Sequence, residues 1–191
     1  MEENYFVMFT RVCLMETKIK IPKNIEVEIE DELVKVKGIN GNVSKKFYHP
    51  KINISKSGDE IIIKTKKDLK KILATVGTWK SHLENMFKGV EKGYEYRMKV
   101  SYVHFPMTVS VEGDKVVVKN YLGQKASRYA KILEGVDVKV DGEEIIIKGP
   151  NKENVGQTAG NIENATRLKK RRDRRKFSDG VYITSKGGKN E

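Results

Sequence analysis

The sequence predicts an α+β protein of two tandem duplicated domains, each a small antiparallel β-sheet packed by one α-helix. Three observations lead there: one segment occurs twice in matched order, each copy ends in a helical apolar stripe, and no Pro/Ser-rich linker separates the copies. The first copy of the segment is Ile25–Gly41, IEVEIEDELVKVKGING, and the second is Met107–Gly123, MTVSVEGDKVVVKNYLG. They align without a gap. Ile25, Val27 and Ile29 match Met107, Val109 and Val111, while Val34 and Val36 match Val116 and Val118. Alternation with a period of two predicts a pair of strands, joined by a tight polar turn, with one buried face. The turn and β-branched strand of Gly58–Lys64 return as Gly142–Lys148, and Pro22 and Pro106 both precede the first strand of a pair. Several matched pieces in one order point to duplication.

A helix is expected after each set of strands. From Leu69, apolar residues fall at Ile72, Leu73, Val76, Trp79, Leu83, Met86, Phe87 and Val90, with Gly89 and Gly93 closing the helix. In the second half Val155, Ala159, Ile162 and Ala165 follow Gly149-Pro150-Asn151. A stripe holding Trp79 and Met86 reads as a core face rather than a ligand box. The first unit therefore covers residues 1–93, including a short apolar N-terminal arm at Tyr5–Phe9. The second covers 94–191 and carries the basic tail.

Composition narrows the class of function. The 191 residues hold 38 Lys and Arg against 26 acidic residues, a net charge of +12. Such an excess favours a polyanionic partner, most often nucleic acid. One cysteine, Cys13, forms no internal disulfide, which suits a reducing compartment. No stretch approaches the roughly 20 apolar residues of a membrane span. The N-terminal arm follows Glu2 and Glu3 and is soon interrupted by Arg11, unlike a secretory signal. The three histidines, His49, His82 and His104, have no metal-ligand spacing, and no hydrolase or phosphate-loop motif occurs. We therefore expect no catalytic residue, no metal and no cofactor.

The strongest functional signal is Arg167–Lys176, RLKKRRDRRK, in which only Leu168 and Asp173 are not basic. Many charge runs are merely solvated. This one leaves a helix and enters a strand-like segment, Phe177–Ile183, so the chain does not fade into disorder after it. The candidate RNA-binding residues are Arg167, Lys169, Lys170, Arg171, Arg172, Arg174, Arg175 and Lys176, with Tyr182 beyond them. Arg97 and Lys99 at the start of the second half extend the set, as do Lys125, Arg128 and Lys131 after its first hairpin. Tyr121 and Tyr129 interleave with the latter, where they suit either unstacked bases or strand packing. Lys66, Lys67, Lys70 and Lys71 form a weaker patch before the first helix.

Motifs spread along nearly the whole chain carry a resemblance. They are Val34–Gly38 with Gly41, Ala74-Thr75-Val76 with Met86–Val90, Gly93–Lys99, Ser101–Pro106, Asn120–Lys125 and Arg175–Tyr182. In this order they resemble the universal large-subunit ribosomal protein family numbered six in bacteria and nine in eukaryotes. His104-Phe105-Pro106 and Phe177–Tyr182 are similar to its eukaryotic or archaeal branch. The resemblance implies a duplicated sheet-plus-helix fold, no catalytic residue, and a structural role in binding large-subunit ribosomal RNA, chiefly by the second domain. It also implies a place near the stalk base and sarcin–ricin region, with neighbouring ribosomal proteins and translational GTPases nearby, in the cytoplasm. The first fourteen residues match nothing in the family pattern, and RLKKRRDRRK is more basic than that pattern. Two competing expectations are a free-standing RNA chaperone or regulator with the same surface, and an enzyme acting on an acidic substrate.

Overall fold

The computed structural model describes residues 16–65, 69–168 and 178–187. The apolar arm, Lys66 and Lys67, and Lys169–Lys176 lie outside the described residues. The first half runs β1 (Glu16–Lys20), β2 (Glu26–Glu30), β3 (Leu33–Gly38), β4 (Gly41–Lys46), β5 (Ile52–Ser57), β6 (Glu60–Thr65) and α1 (Lys70–Lys92). The second runs β7 (Tyr94–Ser101), β8 (Thr108–Glu112), β9 (Lys115–Lys119), β10 (Arg128–Lys131), β11 (Asp137–Asp141), β12 (Glu144–Gly149), α2 (Lys152–Ala165) and β13 (Gly180–Lys186).

The α+β class and the duplication are both observed, and the strands of each half divide between two small antiparallel sheets. In the first half these are β1-β6-β5 and β2-β3-β4; in the second they are β11-β12-β7-β13 and β10-β9-β8. The repeated segment forms equivalent hairpins. Val27 pairs with Val36 and Ile29 with Val34, as Val109 pairs with Val118 and Val111 with Val116. The match is looser at its outer end, where Val111 is exposed although Ile29 packs against the first core.

Each half buries its own core. In the first, Val34, Val36, Ile61, Ile63, Leu83 and Val90 pack together, and Phe47 meets Trp79 edge-on at 5.4 Å between ring centroids. Trp79 is therefore a core residue. In the second, Met98, Val116, Val118, Ile145, Ile147, Val155 and Ile162 fill the space between sheets and helix. Asn151 caps α2 by accepting from the Glu153 amide at 2.9 Å, offsetting one of the unpaired donors at a helix start.

Gly93 alone separates α1 from β7, and its φ of 76° is the left-handed value that glycine adopts without a Cβ clash. Gly89, expected to help close the helix, lies inside it. It is buried where α1 meets the second half, and a Cβ there would run into the Pro150 carbonyl oxygen. Tertiary contact, not helix termination, explains this glycine. Polar bonds flank the same seam. Lys152 Nζ donates to Asn85 Oδ1 at 3.2 Å, and Lys45 and His82 of the first half both meet the Glu153 carboxylate of the second.

Candidate nucleic-acid interface

The candidate basic residues are ordered by the strands that carry them. Along β7, Tyr94, Tyr96, Met98 and Val100 face the core, so Arg97 and Lys99 stand on the outer face of the sheet. β13 lies antiparallel beside β7 and sets Tyr182 opposite Lys99. Arg97, Lys99 and Tyr182 thus share one exposed face. That face is not purely basic. Glu95 bridges Arg97 and Lys148 at 2.8 Å each, and their hydrogen bonds, Lys148 foremost, hold its carboxyl below the ordinary range. The Tyr182 hydroxyl donates to the Ser178 carbonyl at 3.0 Å, which braces the entry to β13.

The second group separates. Lys125 and Lys131 are exposed, at a turn and at the end of β10. Arg128 is half-buried and turned inward. Its guanidinium lies 4.1 Å from the Tyr121 ring centroid, while Nη1 donates to the Ala165 carbonyl at 2.8 Å. A cation at the last turn of α2 satisfies an orphan carbonyl and complements the negative end of the helix. Tyr121 is fully buried, whereas Tyr129 is exposed. Of the two interleaved tyrosines, only Tyr129 presents a ring to solvent.

The basic run begins where α2 stops. Ala165 ends the helix, Thr166 caps it, and Arg167 is exposed just beyond. Lys169, Lys170, Arg171, Arg172, Arg174, Arg175 and Lys176 fall outside the described residues. Both flanks of the run are firmly held. The Tyr121 hydroxyl donates to the Thr166 carbonyl at 2.5 Å and lies 3.4 Å from the Asp179 carbonyl. The Val181 amide donates to the Thr166 hydroxyl at 3.0 Å. One buried phenol and one buried threonine therefore join the end of α2 to the start of β13, the two elements between which the run falls in the sequence.

Asp179 completes this stem and was not singled out from the sequence, where Ser-Asp-Gly reads as ordinary turn chemistry. It is only 2% exposed. Its Oδ1 accepts from the Val103 amide at 2.5 Å and the His104 amide at 3.2 Å, and its Oδ2 lies 2.7 Å from His104 Nδ1. Burial opposes ionisation, but the Val103 amide, the His104 ring and the His104 amide outweigh it and hold the carboxyl below its ordinary value. An ionised carboxylate only accepts, so Nδ1 of His104 carries the proton in this bond.

Among the described residues no group of three His, Cys, Asp or Glu is placed to hold a metal ion. No helix among them is long and apolar enough to cross a membrane.

Comparison with known proteins agrees with the duplicated fold. The family model described as Ribosomal protein L6 matches residues 21–93 and again 105–180. The large ribosomal subunit protein uL6 of Haloarcula marismortui is 47% identical over 169 residues, covering 88% of this chain and 94% of that protein. Its counterpart in Methanococcus vannielii is 45% identical, covering 93% of this chain and 97% of its own. The Nanoarchaeum equitans protein is 42% identical over 187 residues, covering 94% and 97%. Two tandem matches and near-full-length archaeal relatives agree with the repeat, and the chain belongs to the ribosomal protein L6 family.

Proposed function

We propose that this chain is a structural constituent of the large ribosomal subunit that binds and stabilises large-subunit ribosomal RNA. As in its family, the role is a scaffold's and not an enzyme's. The carrying observation is the stem around Tyr121, Thr166 and Asp179, which holds together the residues that flank a strongly basic run in the chain. A block of like charge repels itself, and phosphates offset that cost. Beside it, Arg97, Lys99 and Tyr182 offer cations and a ring on one sheet face. Lys125, Lys131, Arg167 and the run from Lys169 to Lys176 supply further cations for phosphate. Arg128 acts mainly by holding the end of α2.

In this reading the chain divides near Gly93. The first unit is chiefly a folded platform and the second the main RNA binder. The protein works in the cytoplasm near the stalk base and sarcin–ricin region, beside other ribosomal proteins and within reach of translational GTPases. The test has two parts. Native protein should co-sediment with the large subunit at moderate salt; if it runs free, the ribosomal reading fails. Replacing Arg171, Arg172, Arg174 and Arg175 by Gln should weaken RNA binding and flatten its salt dependence. The slope should fall by roughly one unit for each phosphate no longer neutralised. An unchanged slope would make the run a solvated face.

A further inference from the structure

We propose that the loop after β7, Tyr102–Phe105, is a preformed apolar contact for unpaired RNA bases, distinct from the phosphate-binding cations. The proposal rests on the RNA-binding reading above. Within four residues the loop exposes Tyr102 at 40%, Val103 at 71% and Phe105 at 48%. Apolar side chains gathered on a surface in this way mark contact sites more often than isolated ones do.

The loop is also held with unusual care for a connection between strands. The buried carboxylate of Asp179 takes two consecutive backbone amides and the His104 ring. Asn120 donates to the Pro106 carbonyl at 2.8 Å and fastens the far end. The Phe105 ring lies over Gly123, where a Cβ would stand 3.4 Å from the ring. Placing a carboxylate in the interior is costly unless it is fully bonded. A segment that only linked β7 to β8 would need no such anchor. A recognition surface gains from it, because a rigid tip loses less entropy on binding.

Position and charge select the occupant. Ser101 pairs with Gly180, so the tip stands beside the strand that follows the basic run in the chain. Thr166 bonds to the Val181 amide in the same stem, so a polyanion engaging the exposed Arg167 lies on the side of the fold that carries the tip. The tip carries no Lys or Arg, its His104 ring is turned onto Asp179 at 2.7 Å, and the Tyr102 hydroxyl donates to the Glu143 carboxylate at 3.4 Å. What the tip presents to solvent is the two rings of Tyr102 and Phe105 with Val103, which suit the faces of bases better than phosphate. Aromatic stacking on splayed bases is the usual way proteins use such a surface on RNA.

The experiment uses the full chain and large-subunit RNA extracted from archaeal ribosomes, with affinity measured across a salt series. Phe105→Ala should weaken binding about 5- to 100-fold, within the range for removal of one stacked base. The slope against salt should stay as in the unmodified protein, and Phe105→Trp should retain the affinity. Affinity for Phe105→Ala within twofold of the unmodified protein would overturn the proposal and leave the RNA-binding reading standing. A flattened slope would also overturn it, by showing a phosphate contact instead. Unaltered RNA binding together with failure to capture a neighbouring ribosomal protein would assign the tip to protein. If the unmodified chain binds this RNA without salt dependence, the underlying reading fails as well.

Discussion

Nδ1 of His104 lies 2.7 Å from Oδ2 of Asp179, joining two residues 75 positions apart in the chain. The contact ties the loop leaving β7 to the segment that follows the basic run. Asp179→Ala removes the acceptor for two amides and the ring, at a cost of roughly 2–4 kcal/mol. Asp179→Asn keeps a carbonyl oxygen for the amides and should cost less, about 1 kcal/mol. Denaturant unfolding of the two variants checks the order. Equal stability of Asp179→Ala and the unmodified protein would dismiss the anchor.

The same carboxylate sets a pH dependence. Its folded value is depressed, because its hydrogen bonds outweigh burial. The unfolded chain therefore binds the proton more readily, and stability rises with pH in the window between the two values. The contribution is full above the ordinary carboxylate range and is lost as pH falls through the depressed value. The acid limb of a stability–pH profile should be shallower in Asp179→Asn. Superimposable profiles would show that another group governs it.

Tyr121 should act on the stem with little effect elsewhere. Tyr121→Phe keeps the ring under Arg128 but leaves the Thr166 carbonyl without this donor, costing about 1–2 kcal/mol. Amide hydrogen exchange should quicken at Val181 and around Thr166 while the interior of α1 is unchanged. Uniform quickening throughout both halves would mean that the hydroxyl supports the whole fold.

Two glycines of α1 should answer oppositely to alanine. Gly77 has nothing within 4 Å of a Cβ built there, so Gly77→Ala should stabilise by about 0.5–1 kcal/mol through helix propensity. Gly89→Ala gains the same propensity but drives a methyl into the Pro150 carbonyl. Overpacking of about 1–3 kcal/mol or more then dominates. The melting temperature should rise for the first and fall for the second, by roughly 2–4 °C per kcal/mol. A rise for both would show that the halves separate easily at this seam.

Charge at the seam should matter less than shape. Lys45 pairs with Glu153, but Glu153 is more than half exposed. A double-mutant cycle on Lys45→Ala and Glu153→Ala should give a coupling below about 1 kcal/mol. A larger value would make the ion pair, and not the fit of Gly89 against Pro150, the main determinant of how the halves dock.

The duplication, the α+β class and the core face of each helix were legible in the sequence. Period-two and helical spacing report which side of an element is apolar, and Val34, Val36, Val116 and Val118 are buried as their pattern requires. The excess of Lys and Arg was legible too, because charge is a sum over residues. Tertiary structure alone divided each half's strands into two sheets and gave Gly89 its place at the seam. It turned Arg128 inward onto Tyr121 and α2, while leaving Arg97 and Lys99 on an open face. It also brought His104 to Asp179. These are long-range pairings, settled by the register of β7 against β13 and by the docking of α2, and local spacing carries no record of either. Local residue patterns decide what kinds of elements form, and summed charge decides the sign of the surface. The packing of distant segments decided which cations remain available to a partner and which became part of the fold.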